Sequence, residues 1–198
     1  MSDVNTECWR IFCAVELPPD VRTRAAAHIA QLREAVPTMR ASWERTEKLH
    51  LTLKFFGDVE PERILNQLAP ALERAAQNIA PFDLAIEGTG AFPPRSLPKV
   101  LWLGITDSSG ALAHVQQHLE TECARENFPR DARRFHPHLT IARLRTPAGA
   151  RELAETHTKM QFKAATFNVS EIVLVRSEME FSGSRYTIIS RHELKAND

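Results

Sequence analysis

One tetrad occurs twice in this chain: His50-Leu51-Thr52-Leu53 returns as His138-Leu139-Thr140-Ile141, with the two histidines 88 positions apart. Both copies read as β-strand. Strand side chains alternate between faces, so His50 and Thr52 point the same way, and so do His138 and Thr140. Each copy presents one imidazole and one hydroxyl on a single face. Two such faces opposed across a groove supply an acid, a base and two hydroxyl donors, the equipment for metal-free phosphoryl transfer. A single H-x-T is a weak signal; a pair in matched strand context is a strong one.

The surrounding pattern alternates strands and helices. Trp9–Leu17 is a β-rich apolar run that ends at Pro18-Pro19. Val21, Ala25, Ile29, Leu32 and Val36 recur at helical spacing, starting near the prolines and closed by Pro37. Leu49–Phe56 is the first motif strand, ended by Gly57-Asp58. Ile64, Leu65, Leu68, Leu72 and Ala75 mark a second helix that begins near Pro61. Phe82–Glu87 reads as a strand, 88–99 as a loop with basic Arg95 and Lys99, and Val100–Ile105 as a compact strand. Leu112, Val115, Leu119 and Cys123 mark a third helix. The second motif strand is His138–Arg143, followed by a helix over Ala148–Thr156. Two strands, Thr166–Val175 and Tyr186–Arg191, finish the chain as a hairpin across Ser182-Gly183-Ser184. The order is not a strict βα register, so the expectation is an α+β fold of two sheet-and-helix lobes. The repeated motif suggests that the lobes arose by duplication.

At 198 residues and 43% hydrophobic content, the chain can bury a real core. Residues 1–198 are expected to form a single bilobal domain. The 25 basic and 25 acidic residues cancel, so contact with a polyanion must come from a local patch. Cys8, Cys13 and Cys123 lack metal-ligand spacing and read as incidental reduced thiols. The polar opening Met1–Glu7 lacks the pattern of a secretory leader, and no apolar run approaches the ~20 residues that span a bilayer. The expectation is a soluble, cytoplasmic monomer without a cofactor.

Histidine can give or take a proton near neutral pH, because its unperturbed pKa is ~6.5. Opening a phosphodiester needs two such groups on opposite sides of phosphorus, one for the nucleophile and one for the leaving oxygen. Thr52 and Thr140 can donate hydrogen bonds to the non-bridging oxygens. His136 and His138 form an H-x-H that could instead hold a metal, although Asp131 is the only acid within several residues. His28, His114, His118 and His157 fall on helices and read as solvated or half-buried. Between positions 125 and 145 lie six arginines (125, 130, 133, 134, 143 and 145) against Glu126 and Asp131. One or two of them are candidates for phosphate or RNA backbone. Strict alternation puts Arg143 on the face opposite His138, unless twist or a bulge re-aims it. Lys54 shares the His50 face by alternation. Trp43, Phe56, Phe92 and Phe135 are candidates to stack a base, against the plainer reading that they are core.

These residues resemble the 2H phosphoesterase superfamily and, within it, the RNA 2′,3′-cyclic phosphodiesterases, also known as bacterial 2′-5′ RNA ligase-like proteins. Arg10-Ile11-Phe12-Cys13-Ala14-Val15-Glu16-Leu17-Pro18 is similar to the family's opening strand. Trp43 through Gly57 resembles its first signature, Pro98–Gly104 its central strand, and Phe135–Arg143 its second signature. Ile141 and Phe56 stand where leucine is often seen. The resemblance implies two sheet-and-helix lobes in pseudo-twofold relation around a central cleft, with no metal. It implies hydrolysis of a 2′,3′-cyclic phosphate at an RNA end, or of a small cyclic nucleotide, to a 2′-phosphomonoester. His50 would be the proton donor and His138 the proton acceptor, with Thr52 and Thr140 holding the phosphate oxygens; Arg143, read from the basic stretch rather than from the resemblance, is the further candidate for substrate binding. Reversible 2′-5′ RNA ligation is the secondary activity it implies. Two other readings stand beside it: an esterase for another small cyclic phosphate, and a non-catalytic nucleotide- or RNA-binding module.

Overall fold

A computed structural model describes residues 7–94, 96–181 and 183–196; Arg95 and Ser182 lie outside the described residues, as does most of the polar opening stretch. The elements are β1 (Trp9–Glu16), α1 (Pro19–Ala35), β2 (Ser42–Trp43), a 3₁₀ turn at Thr46–Lys48 and β3 (His50–Val59). A continuous helix follows, made of α2 (Pro61–Arg63), a π turn at Ile64–Leu68 and α3 (Ala69–Ala76). Then come β4 (Phe82–Phe92), β5 (Val100–Thr106), α4 (Ala111–Arg125), β6 (His138–Arg143), α5 (Ala150–Met160), β7 (Ala165–Val169), β8 (Glu171–Glu180) and β9 (Gly183–Glu193). The π turn precedes Pro70, whose missing N–H and ring exclude the ordinary i→i−4 bond to Asn66.

The strands form two antiparallel sheets, β3-β1-β8-β9 and β2-β6-β5-β4-β7. Each motif strand lies beside a partner in matching register. Ala14 faces Thr52 and Cys13 faces Lys54, while Trp102 faces Thr140 and Leu101 faces Ala142. Every member of the second set lies 88 positions after its counterpart in the first. The lobes are also interleaved. β4 follows the first motif but joins the second motif's sheet, and β8 follows the second motif but joins the first motif's sheet. The helices cross likewise: α1 packs on α5 and β7, and α4 packs on α3 and β3. The fold is therefore α+β and bilobal, with a pseudo-twofold relation between the lobes.

Three expectations about elements need correction. Thr166–Val175 is two strands in different sheets, because the chain changes sheet at Ser170 between β7 and β8. The loop expected over 88–99 is strand as far as Phe92, and the motif strand expected to end at Gly57 runs to Val59. Both glycines hold positive φ (+79° at Gly88, +75° at Gly57) beside register shifts in the ladder. They serve as bulge residues inside strands rather than as turns, a conformation equally open to glycine.

Most of the apolar side chains form one core between the sheets and their covering helices. A second, smaller cluster of Phe12, Ala14, Val173 and Val175, edged by Tyr186 and Ile188, lies on the other face of the β3-β1-β8-β9 sheet. No helix of the described residues is long and apolar enough to cross a membrane.

Candidate active site

The small apolar cluster floors a depression lined by His50, and β3 and β6 approach closely enough that the charge of His138 acts on His50, so the two H-x-T faces share one cleft. His50 and Thr52 are half-buried and alternate with buried Leu51 and Leu53; His138 and Thr140 alternate in the same way with Leu139 and Ile141. His50 Nδ1–H donates to the carbonyl of Lys48 at 2.6 Å, and His138 Nδ1–H donates to the carbonyl of His136 at 2.7 Å. Because a carbonyl only accepts, these bonds put the Nδ1 proton on both rings and leave each Nε2 as the working atom. His50 Nε2 already has a partner, the Thr52 hydroxyl at 3.0 Å.

The two imidazoles have different surroundings. His50 stands on Phe12 (ring centroids 4.8 Å apart) and meets Tyr186 edge-on at 5.4 Å. His138 meets Phe92 edge-on at 5.1 Å, and Phe92 in turn packs on Trp102 and His136. Burial lowers the pKa of both histidines. The bonds to Lys48 and His136 oppose that shift, and the positive charge of Arg143 adds to it at both rings. Arg143 is therefore close enough to both histidines for its charge to act on each.

Arg143 reaches that place through a bulge. Between the pairs Trp102–Thr140 and Leu101–Ala142 the register shifts, leaving Ile141 as the extra residue. Ala142 is then buried and Arg143 faces out with His138 and Thr140. The first motif does the same at Leu53. There the bulge buries Lys54 and turns out Phe55, which is 56% exposed and packs on Phe12. Lys54 thus leaves the histidine face that alternation assigned to it. Its ammonium is bonded to Glu120 at 2.7 Å and to the Pro129 carbonyl at 2.8 Å, fixing β3 to α4.

Of the aromatic candidates, Phe92 is at the site. Phe56 packs on Phe128, and Trp43 and Phe135 pack against the main core. His28 and His157, expected to be solvated or half-buried, are buried and bonded to each other at 3.1 Å between α1 and α5. His157 Nε2 also reaches the Trp102 carbonyl at 3.0 Å, so that ring donates to the backbone and accepts from His28. Among the described residues, no three His, Cys, Asp or Glu side chains converge as a metal-binding group.

Several cleft residues had no signal in the sequence. Glu44 is tied to the bulge by its own N–H, which donates to the Ile141 carbonyl at 2.9 Å, and its carboxylate lies 4.0 Å from Arg143 Nε. Burial raises its pKa, with Arg143 and Lys48 opposing. Trp102 sits opposite Thr140, where the other lobe has Ala14, and its buried indole N–H has no acceptor among the described residues. Beside Ala14 the space stays open, as a depression of about 110 Å³ lined by Phe12, His50, Lys48 and Tyr186.

Residues 17–180 match the family model of the 2′-5′ RNA ligase superfamily. The chain belongs to that superfamily. It is 32% identical over 181 residues to the RNA 2′,3′-cyclic phosphodiesterase of Methanothermobacter thermautotrophicus, covering 90% of this chain and 95% of that one. It is 32% identical over 187 residues to the protein of the same name from Geobacillus stearothermophilus, covering 94% of this chain but 58% of that longer relative. Among solved structures it is similar to E. coli LigT complexed with 3′-AMP, with TM-score 0.76 and 27% identity over 95% of this chain and 99% of that one. The protein TT0787 of Thermus thermophilus has TM-score 0.75 and 27% identity, covering 96% of this chain and all of that one.

Proposed function

We propose that this member of the superfamily hydrolyses the 2′,3′-cyclic phosphate at an RNA end to a 2′-phosphomonoester, with His50 and His138 as its proton carriers. The observation that carries the reading is the pair of H-x-T faces. Each imidazole is held by its Nδ1 to a backbone carbonyl, which leaves each Nε2 for chemistry on the same cleft. The relatives named for this reaction match over nearly the whole chain.

In the proposed step, neutral His138 Nε2 takes a proton from water as the water oxygen attacks phosphorus. The P–O3′ bond breaks, and protonated His50 gives its Nε2 proton to O3′. The products are a 3′-hydroxyl and a 2′-phosphate. Thr52 and Thr140 donate to the non-bridging oxygens, and Arg143 meets the charge that grows on them. The division into donor and acceptor follows the family likeness. If the 5′-hydroxyl of a second RNA replaces water, the same proton transfers make a 2′-5′ bond. Water is present at ~55 M, so hydrolysis is the main direction.

Phosphorus NMR of a short RNA ending in a 2′,3′-cyclic phosphate, incubated with the protein in EDTA, tests the reading. The expected result is conversion to a 2′-phosphate that stops in His50→Ala and in His138→Ala. The double variant should be little slower than either single one, because the pair acts as a unit. No conversion by folded protein overturns the reading; loss of activity in EDTA that metal restores revives the H-x-H pair as a ligand set.

A further inference from the structure

Beyond Arg143, three cations from separate stretches of chain gather at one end of the second sheet. Arg145 follows Arg143 by two residues, about 7 Å along an extended chain. Lys99 is fastened beside it, because the Leu144 N–H donates to the Lys99 carbonyl at 2.8 Å. Arg40 arrives from the other side. Ser42 pairs with Arg143, and Met39 lies against Gly149, so residues 39–42 run alongside 143–149.

All three side chains are exposed, and none has an ion-pair partner among the described residues. Most other arginines of the basic stretch are occupied: Arg125 pairs with Glu122, Arg133 with Asp131, and Arg130 bonds to Thr121. The chain as a whole is neutral. Cations without ion-pair partners among the described residues, collected next to Arg143, therefore form a local positive path out of the cleft.

We infer that Lys99, Arg145 and Arg40 bind the backbone phosphates of a single-stranded RNA whose cyclic end occupies the cleft. The inference rests on the proposed function and adds which side chains hold the strand that trails from the cyclic end. A flexible strand leaving the cleft past Arg143 meets these charges in turn, and single strands are held by such grooves through phosphate contacts that salt weakens.

The test compares a 2′,3′-cyclic mononucleotide with a single-stranded octanucleotide that ends in the same cyclic phosphate. The proteins are the wild type, the triple variant Lys99→Gln/Arg145→Gln/Arg40→Gln, and the remote control Lys159→Gln/Lys163→Gln. In the wild type the octamer should have the higher kcat/KM, falling steeply with salt. The triple variant should lose at least tenfold on the octamer and less than twofold on the mononucleotide. Its slope of log(kcat/KM) against log salt should flatten by about 2, the value for three phosphate contacts on a single strand. The control should behave as wild type. Equal rates and equal salt dependence for the two substrates, or equal loss on both in the triple variant, overturn the RNA path and leave the proposed reaction standing. No turnover of either substrate by wild type overturns the reaction itself, and the path with it.

Discussion

Arg143 stands five positions after His138, and Phe55 five after His50. In each strand one bulged residue decides what those positions do. Ile141 and Leu53 are ordinary apolar strand residues, and nothing in their identity announces that two residues will face one across the ladder. The tetrads were legible because alternation holds from His to Thr; it fails at the next residue, so Lys54 was assigned to the cleft and Arg143 conditionally away from it. Arg143→Gln keeps a polar, hydrogen-bonding side chain and removes the charge and the guanidinium reach. It should lower kcat/KM for the cyclic phosphate about 10- to 100-fold, as expected for losing charge-assisted hydrogen bonds of ~1.5–3 kcal/mol. Initial-rate kinetics read the change, and an unaltered kcat/KM would remove Arg143 from the phosphate site. The histidines set the pH response. Both pKa values are lowered, mainly by burial. The donor loses its proton as pH rises through its lowered pKa, and the acceptor gains one as pH falls through its own. The bell in kcat/KM should therefore peak below the ~6.5 of a free imidazole. In kcat, where the bound phosphate anion supports the imidazolium, the limbs should move upward. A kcat/KM profile centred well above pH 7 would contradict this assignment of a buried acid–base pair.

At the level of elements, strand and helix types were largely readable, and the errors share a cause. Gly57 and Gly88 look like turns but are bulge positions, because positive φ serves either purpose. The run Thr166–Val175 contains no glycine or proline to interrupt it, and periodicity does not show that the chain leaves one sheet and enters another at Ser170. The pairing of α1 with α5 was equally invisible, since a histidine on a helix gives no sign of its neighbour 129 positions away. That contact has a consequence for stability. His28 is held down to about 4 by burial and by His157, so the folded protein keeps it neutral. The unfolded chain binds the proton from about pH 6.5 downward. This contribution is complete above pH 6.5 and is lost as pH falls toward 4, up to about 3 kcal/mol for a shift of this size. Urea melts at pH 7 and pH 4.5 should show a larger fall in midpoint for wild type than for His28→Gln. Equal falls would mean that the pair is not a source of acid sensitivity.

The whole molecule joins two repeats so that neither contains its own sheet. The 88-residue offset announced a repeat, and β1 with β3 and β5 with β6 repeat one pairing register at that offset. The exchange of last strands and first helices was not announced, because local pattern carries no information about which sheet a strand joins. The exchange bears on function: the cleft is formed by two lobes that are each completed by the other, so the strands carrying His50 and His138 rest on one shared core. It also bears on folding. If β4 and β8 are cross-lobe components, neither half has a closed core without the other, and residues 1–198 should unfold as one cooperative unit. Trp9 lies on the first sheet, and Trp43 and Trp102 lie on the second. Tryptophan fluorescence of a Trp9→Phe variant reports the second sheet, and that of a Trp43→Phe/Trp102→Phe variant reports the first. Each should melt in urea at the midpoint its own far-UV circular dichroism gives, and fragments cut between β4 and β5 should remain unfolded until mixed. Separate midpoints for the two sheets within one variant's reporter and its circular dichroism, or a folded isolated half, would show two domains in place of one.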